Sequence, residues 1–87
     1  MMDEIQRLRK KVDRVDEQIP NALGERDKIC RAIGLIKKKE GMKIKDTARE
    51  TEVFERVKEK AVQLHLDPFK VEAVYREIVN MCSAVQE

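Results

Sequence analysis

The chain has 87 residues, 19 basic against 17 acidic side chains, 41% charged residues, 3% aromatic ones and no tryptophan. That is room for one domain with a modest core, and thin apolar stripes among so many charges suit helices and exclude a β-sandwich or an α/β sheet. A net charge of +2 is too weak to argue for nucleic acid. No apolar run reaches membrane-spanning length, and the opening MMDEIQRLRKK lacks the apolar core of a signal peptide.

The first predicted element is a helix from residue 3 to residue 39. Its apolar positions are Ile5, Leu8, Val12, Val15, Ile19, Ala22, Ile29, Ile33 and Ile36. Steps alternating three and four mark a helix packed along a seam against other helices. The one missing member of the series is Arg26, and a charge at a seam position is costly to bury without a partner, so Arg26 points to a buried anion site. At about 1.5 Å per residue the helix is about 55 Å long, too long for a compact chain of this size, so much of the seam calls for a partner chain. Pro20 and Gly24 oppose a straight rod, at about 3 and about 1 kcal/mol respectively. The seam keeps its phase across both, which favours a kinked continuous helix. A turn at Pro20 to Gly24 would instead fold the chain back on itself.

Residues 40–46 form the first connection, with Gly41 after the run Lys37 to Lys39, a charge placement that suits a helix C-terminus. Thr47 followed by Glu50 reads as a capping box, with Asp46 as a competing cap. The second helix continues to about Leu64 through Val53, Phe54, Val57 and Ala61. Asp67-Pro68 supplies a cap and a proline at the first helical position. The third helix, through Val71, Val74, Ile78, Met81 and Val85, runs on to the end. The fold class is therefore all-α with three helices in a single domain over 1–87. Cys30 and Cys82 have no metal-ligand spacing and His65 is the only histidine, so the cysteines read as reduced and the chain as intracellular and cytoplasmic.

Arg26 and Lys37 lie eleven residues apart, close to three turns, and share a face. Arg49 and Glu50 open the second helix. Cys82 and Gln86 stand one turn apart in the third. Taken singly, Lys37 reads as a solvated lysine in a run, Arg49 and Glu50 as a first-turn pair, Cys82 as core, and Arg9 as surface. Only Arg26 resists such a reading.

Taken together, Arg9-x-x-Val12-x-x-x-Asp16, Glu25-Arg26, Gly34-x-x-Lys37, Asp46-x-x-Arg49-Glu50 and the late Gln86 resemble the all-helical class of chorismate mutases over nearly the whole chain. The resemblance implies an intertwined homodimer whose long first helices span both subunits, and no cofactor or metal. Arg9 would reach into the partner's site. Arg26, Lys37, Asp46, Arg49, Glu50, Cys82 and Gln86 would come from the site's own chain. Arg9 and Arg26 would clamp the two carboxylates of chorismate. Lys37 and Gln86 would donate to the ether oxygen of the breaking bond, with Lys37, Gln86 and Arg26 as the catalytic set. Glu50, with the backbone near Asp46, would hold the ring hydroxyl, and Arg49 would support both substrate and Glu50. Cys82 stands where relatives often carry a small polar residue such as serine.

One geometric point stands apart from the resemblance. Arg9 and Arg26 are about 25 Å apart along one helix, so they meet one small diacid only from different chains or through a fold-back. The implied reaction, chorismate to prephenate on the route to phenylalanine and tyrosine, is a one-step Claisen rearrangement. It needs a folded substrate and fixed positive charge at the ether oxygen, not a nucleophile or a metal. Other readings are an isochorismate pyruvate lyase of the same fold, a non-catalytic helical dimerisation or nucleic-acid-binding module, and an inactive relative of the mutases. The second leaves Arg26 and Gln86 unexplained and predicts salt-dependent DNA binding.

Overall fold

A computed structural model of the chain describes residues 2–87. Three helices account for nearly all of them: α1 over Met2–Glu40, α2 over Thr47–Gln63 and α3 over Pro68–Gln86. No strand occurs among residues 2–87, and none of the helices is long and apolar enough to cross a membrane. α1 runs unbroken through Pro20 and Gly24, so the continuous helix holds and the fold-back does not. Pro20 and Asp16 both lie exposed, and water can serve the Asp16 carbonyl, to which a proline has no N–H to donate. The molecule measures 59 × 24 × 15 Å, its long axis being set by the 39 residues of α1.

Local chemistry fixes where each helix stops and starts. Gly41 adopts φ +67°, the Met42 N–H reaches the Lys37 carbonyl at 2.8 Å and the Gly41 N–H reaches that of Lys38. This pairing closes the end of α1 as a Schellman motif. α2 closes in the same way through His65 and Leu66, but there the left-handed residue is His65, at φ 59°. At the start of α2 the cap is Asp46, whose Oδ1 accepts from the Arg49 N–H at 3.0 Å. The capping box on Thr47 is thereby corrected: Thr47 is already helical, and Glu50 pairs with Lys45 instead of reaching back to the cap. A carboxylate carries full charge into the positive end of the helix, which a hydroxyl does not. Asp67 caps α3 through the N–H groups of Phe69 and Lys70, with Pro68 first in the helix.

α3 is the hub. α1 packs on α3 and α2 packs on α3, but α1 and α2 do not pack on one another. The buried hydrophobic residues are Cys30, Val53, Ala61 and Val79, a core only one side chain deep. Between α2 and α3, Glu72 pairs with Lys58 at 3.5 Å and with Arg76, whose guanidinium also lies over the Phe54 ring. The hydrogen bond from Arg76, then Lys58, holds the Glu72 carboxyl below the ordinary carboxylate range against the opposing effect of desolvation. A lowered carboxyl value contributes stability that is present above the ordinary range and lost as pH falls through the lowered one.

Between α1 and α3 the contact face is not the isoleucine ladder. Cys30 and Gly34 are buried and Leu23, Arg26, Asp27 and Lys37 half-buried, while Ile29 stays 61% exposed. Gly34 permits the approach: a Cβ there would lie 2.8 Å from the Gln86 Cα. One helical turn back, Cys30 is joined to Cys82 in a disulfide with Cα atoms 5.4 Å apart. The pairing overturns the reading of both cysteines as reduced. It links positions 52 residues apart, a loop whose closure restricts the unfolded chain by about 4 kcal/mol in the chain-entropy picture. Ile5, Leu8, Val12, Val15 and Ile19 meanwhile remain about half exposed, so the described residues 2–87 leave the N-terminal half of the seam uncovered.

Two substitutions test these points by urea denaturation. His65→Gly relieves a left-handed non-glycine residue and raises stability by about 1 kcal/mol; a lower midpoint would contradict the closing motif of α2. Gly34→Ala drives a methyl into the backbone of Gln86 and lowers stability by about 1–3 kcal/mol, despite the roughly 0.5–1 kcal/mol that alanine gains in a helix. An unchanged midpoint would mean that α1 and α3 do not meet there.

Candidate active site

Because α1 and α2 each lean on α3 and not on each other, a trough stays open between them with α3 as its floor. It forms a cleft of about 420 Å³ lined by Arg26, Ile29, Cys30, Ile33 and Lys37 from α1, by Asp46, Arg49, Glu50, Val53 and Arg56 from the cap and body of α2, and by Val79, Cys82 and Gln86 from α3. Seven of the eight residues singled out from sequence meet here: Arg26, Lys37, Asp46, Arg49, Glu50, Cys82 and Gln86. The eighth, Arg9, does not. It lies exposed on α1, two dozen ångströms or so up the helix, at about 1.5 Å per residue from Arg26.

Lys37 and Gln86 form the best-defined part. The Lys37 Nζ donates to the Ile44 carbonyl at 2.6 Å and to the Gln86 Oε1 at 2.9 Å. The Gln86 Nε2 donates to the Cys82 Sγ at 3.1 Å. An ammonium has three donors and a primary amide two. Lys37 therefore keeps one N–H uncommitted, and Gln86 keeps one as well. The lysine holds the amide by its oxygen and so fixes which end of Gln86 is the donor. The bond to Ile44 also ties the 41–46 connection to α1, which places Asp46 at the mouth of the cleft.

The cations outnumber the carboxylates: Arg26, Lys37, Arg49 and Arg56 against Asp46 and Glu50. Neither carboxylate cancels a cation of the cleft. Asp46 spends an oxygen on the cap of α2, and Glu50 pairs at 3.1 Å with Lys45, outside the lining. Arg49 reaches Glu52 at 3.0 Å with both side chains more than half exposed, a surface pair worth about 0–1 kcal/mol and readily exchanged for a ligand carboxylate. Arg26 is half-buried and makes only a long contact of 3.8 Å from a guanidinium nitrogen to the Cys30 Sγ. The cleft is thus a basic, partly apolar hollow with fixed donors at one end, suited to a compact molecule bearing carboxylates.

Of the six lining residues not singled out from sequence, Arg56 and Cys30 are the two that are not plain aliphatic wall. Arg56 is seven residues beyond Arg49 and therefore on the same face of α2, a spacing that could have revealed it. Cys30 follows Arg26 by one turn, but nothing in its sequence surroundings points to Cys82.

Comparison with known proteins gives the family of the chain. The family described as chorismate mutase type II matches residues 8–87. The chain is 37% identical over 89 aligned residues to a bifunctional chorismate mutase/prephenate dehydratase of Aquifex aeolicus, covering 99% of this chain but 25% of that protein's length. It is 23% identical to a chorismate mutase of Methanocaldococcus jannaschii, covering all of this chain and 88% of that one. A solved structure, a conserved hypothetical protein from Pyrococcus furiosus, superposes with a TM-score of 0.73 at 31% identity over 95% of both chains. With nearly its whole length matched, the chain belongs to the chorismate mutase type II family.

Proposed function

We propose that this chain converts chorismate to prephenate as a cytoplasmic homodimer in which each site receives Arg9 from the other copy. The observation that carries the reading is the pair of uncommitted donors on Lys37 and Gln86, held together at 2.9 Å and facing the same cleft as Arg26. In the rearrangement one C–O bond breaks while one C–C bond forms, and negative charge grows on the departing ether oxygen. A lysine N–H and an amide N–H converging on that oxygen stabilise the transition state more than the ground state. Arg26, with no carboxylate partner among the described residues, takes one substrate carboxylate. Glu50 and the backbone beside Asp46 suit the ring hydroxyl, and Arg49 lies next to both. The apolar lining from Ile29, Ile33, Val53 and Val79 favours the compact conformer in which the reacting carbons meet.

The dimer is supported by what α1 leaves open. Its N-terminal half presents five large apolar residues to solvent, a stripe that helix pairing would cover. A second α1 laid along it is the simplest way to bring a second guanidinium near Arg26, since Arg9 of the same chain is far out of reach. The tie between α3 and α1 at Gly34 and Cys30 keeps the rest of the site within one chain.

Incubation with chorismate and identification of the product tests the reaction, and prephenate well above the spontaneous rate is expected. Release of pyruvate from isochorismate with no prephenate from chorismate would replace this reading with the lyase. Lys37→Ala and Arg26→Ala should each lower kcat/KM by about 100- to 1000-fold with helical content retained. Full activity in either would remove that residue from the site. For the shared site, Arg9→Ala and Arg26→Ala chains are inactive alone. Mixed and re-equilibrated, they regain about one quarter of wild-type activity, because half the molecules become heterodimers with one intact site of two. No recovery from the mixture would place Arg9 and Arg26 in the same functional unit.

A further inference from the structure

We propose that Cys30 and Cys82 form a redox site built into the wall of the cleft, taking a dithiol as its reductant, and that their state sets both the binding charge and the donor geometry beside them. Both cysteines belong to the cleft lining, and the sulfur of each is in contact with one of its functional side chains. The Cys30 Sγ lies 3.8 Å from the Arg26 guanidinium, and the Cys82 Sγ accepts from the Gln86 amide at 3.1 Å. A disulfide sulfur is neutral and can only accept. It leaves Arg26 with its charge free for a carboxylate and keeps the Gln86 amide turned with its oxygen toward Lys37.

The approach of a reductant is decided by exposure. Cys30 is 4% exposed whereas Cys82 is half-buried on the floor of an open cleft. A thiolate of the dithiol attacks the Cys82 Sγ, the bond between the two protein sulfurs breaks, and Cys30 leaves as thiolate. The leaving thiolate forms next to Arg26, and a neighbouring cation favours thiolate over thiol. The second thiol of the reductant then attacks the mixed disulfide and releases Cys82. Two electrons pass to the protein, the dithiol departs as its own disulfide, and its two protons are left for Cys82 and for Cys30 or solvent.

Reduction has two consequences that follow from the same contacts. A Cys30 thiolate competes for Arg26, so the affinity of a carboxylate substrate falls. The covalent tie one turn before Gln86 is also lost, so the last turn of α3 is held on α1 only by packing at Gly34 and by Lys37. The first effect raises KM and the second lowers kcat. In a thiol-rich compartment such as the cytoplasm proposed above, the balance of the two states is set by exchange with cellular dithiols.

The kinetic part of this inference rests on the proposed reaction, so the test combines it with two readouts that do not. The full chain is equilibrated with reduced or oxidised dithiothreitol, its free thiols are counted by alkylation and intact mass, and hydrogen exchange is followed over residues 79–87. The oxidised chain should show no free thiol and the reduced chain two, with faster exchange in the last turn of α3 and a Tm lower by more than about 10 °C. Rates with chorismate should show KM raised several-fold and kcat reduced on reduction. The double variant Cys30→Ala/Cys82→Ala should behave as reduced in kcat and exchange under both conditions. Gln86→Ala, which removes the donor, should keep the KM response and lose the kcat response. Two free thiols in the oxidised sample would overturn the site, as would reduction that leaves exchange and both kinetic constants unchanged. If neither state converts chorismate, the proposed reaction fails, and a bond that forms and protects residues 79–87 still upholds the redox site.

Discussion

Everything in this chain depends on one helix serving two neighbours. Among the described residues α3 is the element on which both α1 and α2 pack, and it comes close to α1 where Gly34 lies against Gln86. A larger residue at position 34 would hold the helices apart and carry Gln86 away from Lys37. The close contact thus converts an absent side chain into a positioned amide. The cleft is the complement of the same arrangement: it exists because α1 and α2 lean on α3 without closing on each other.

The electrostatics of the cleft follow from how its charges are already engaged. Lys37 is held by two acceptors and Gln86 by a donor and an acceptor, so their remaining N–H groups are fixed before any ligand arrives. Fixed donors need no reorganisation as charge develops, which is where such groups gain most of their effect. Arg49 pairs with Glu52 on the surface and the half-buried Glu50 with an exposed Lys45, and both pairs are free to exchange. One end of the cleft is held by fixed contacts and the other by pairs that can exchange.

The helices were legible because their signals are local. The three–four periodicity, Asp67-Pro68, and Gly41 after a lysine run each fix an element from a few neighbouring residues. Asp46 and Thr47 were both visible as caps, and the stronger acceptor took the role. The cleft lining was legible through Arg26, Lys37, Arg49, Glu50 and Gln86, as an ordered set resembling a family and not as single residues. What escaped depends on rotation and distance. The face of α1 that meets α3 is built from Cys30 and Gly34, small residues that a hydropathy pattern passes over in favour of Ile29 and Ile33. The pairing of Cys30 with Cys82 joins two helices across the chain, and no spacing rule contains it. Arg56 was hidden as an ordinary surface cation until α2 was placed against the cleft.

The separation of α1 from α2 also sets the order in which the chain can assemble. α2 and α3 are neighbours in sequence, joined through the short turn at Leu64 to Asp67, and their contacts are local. The contacts of α1 with α3 span some fifty residues, as the linkage from Cys30 to Cys82 records. Local contacts close with little loss of chain entropy and form early, whereas distant ones wait for them. The helical hairpin of α2 and α3 is therefore the natural nucleus, and α1 docks last. The longest helix of the molecule spends the early stage of folding without its intrachain partner, its apolar stripe open to water or to the same stripe on another nascent chain.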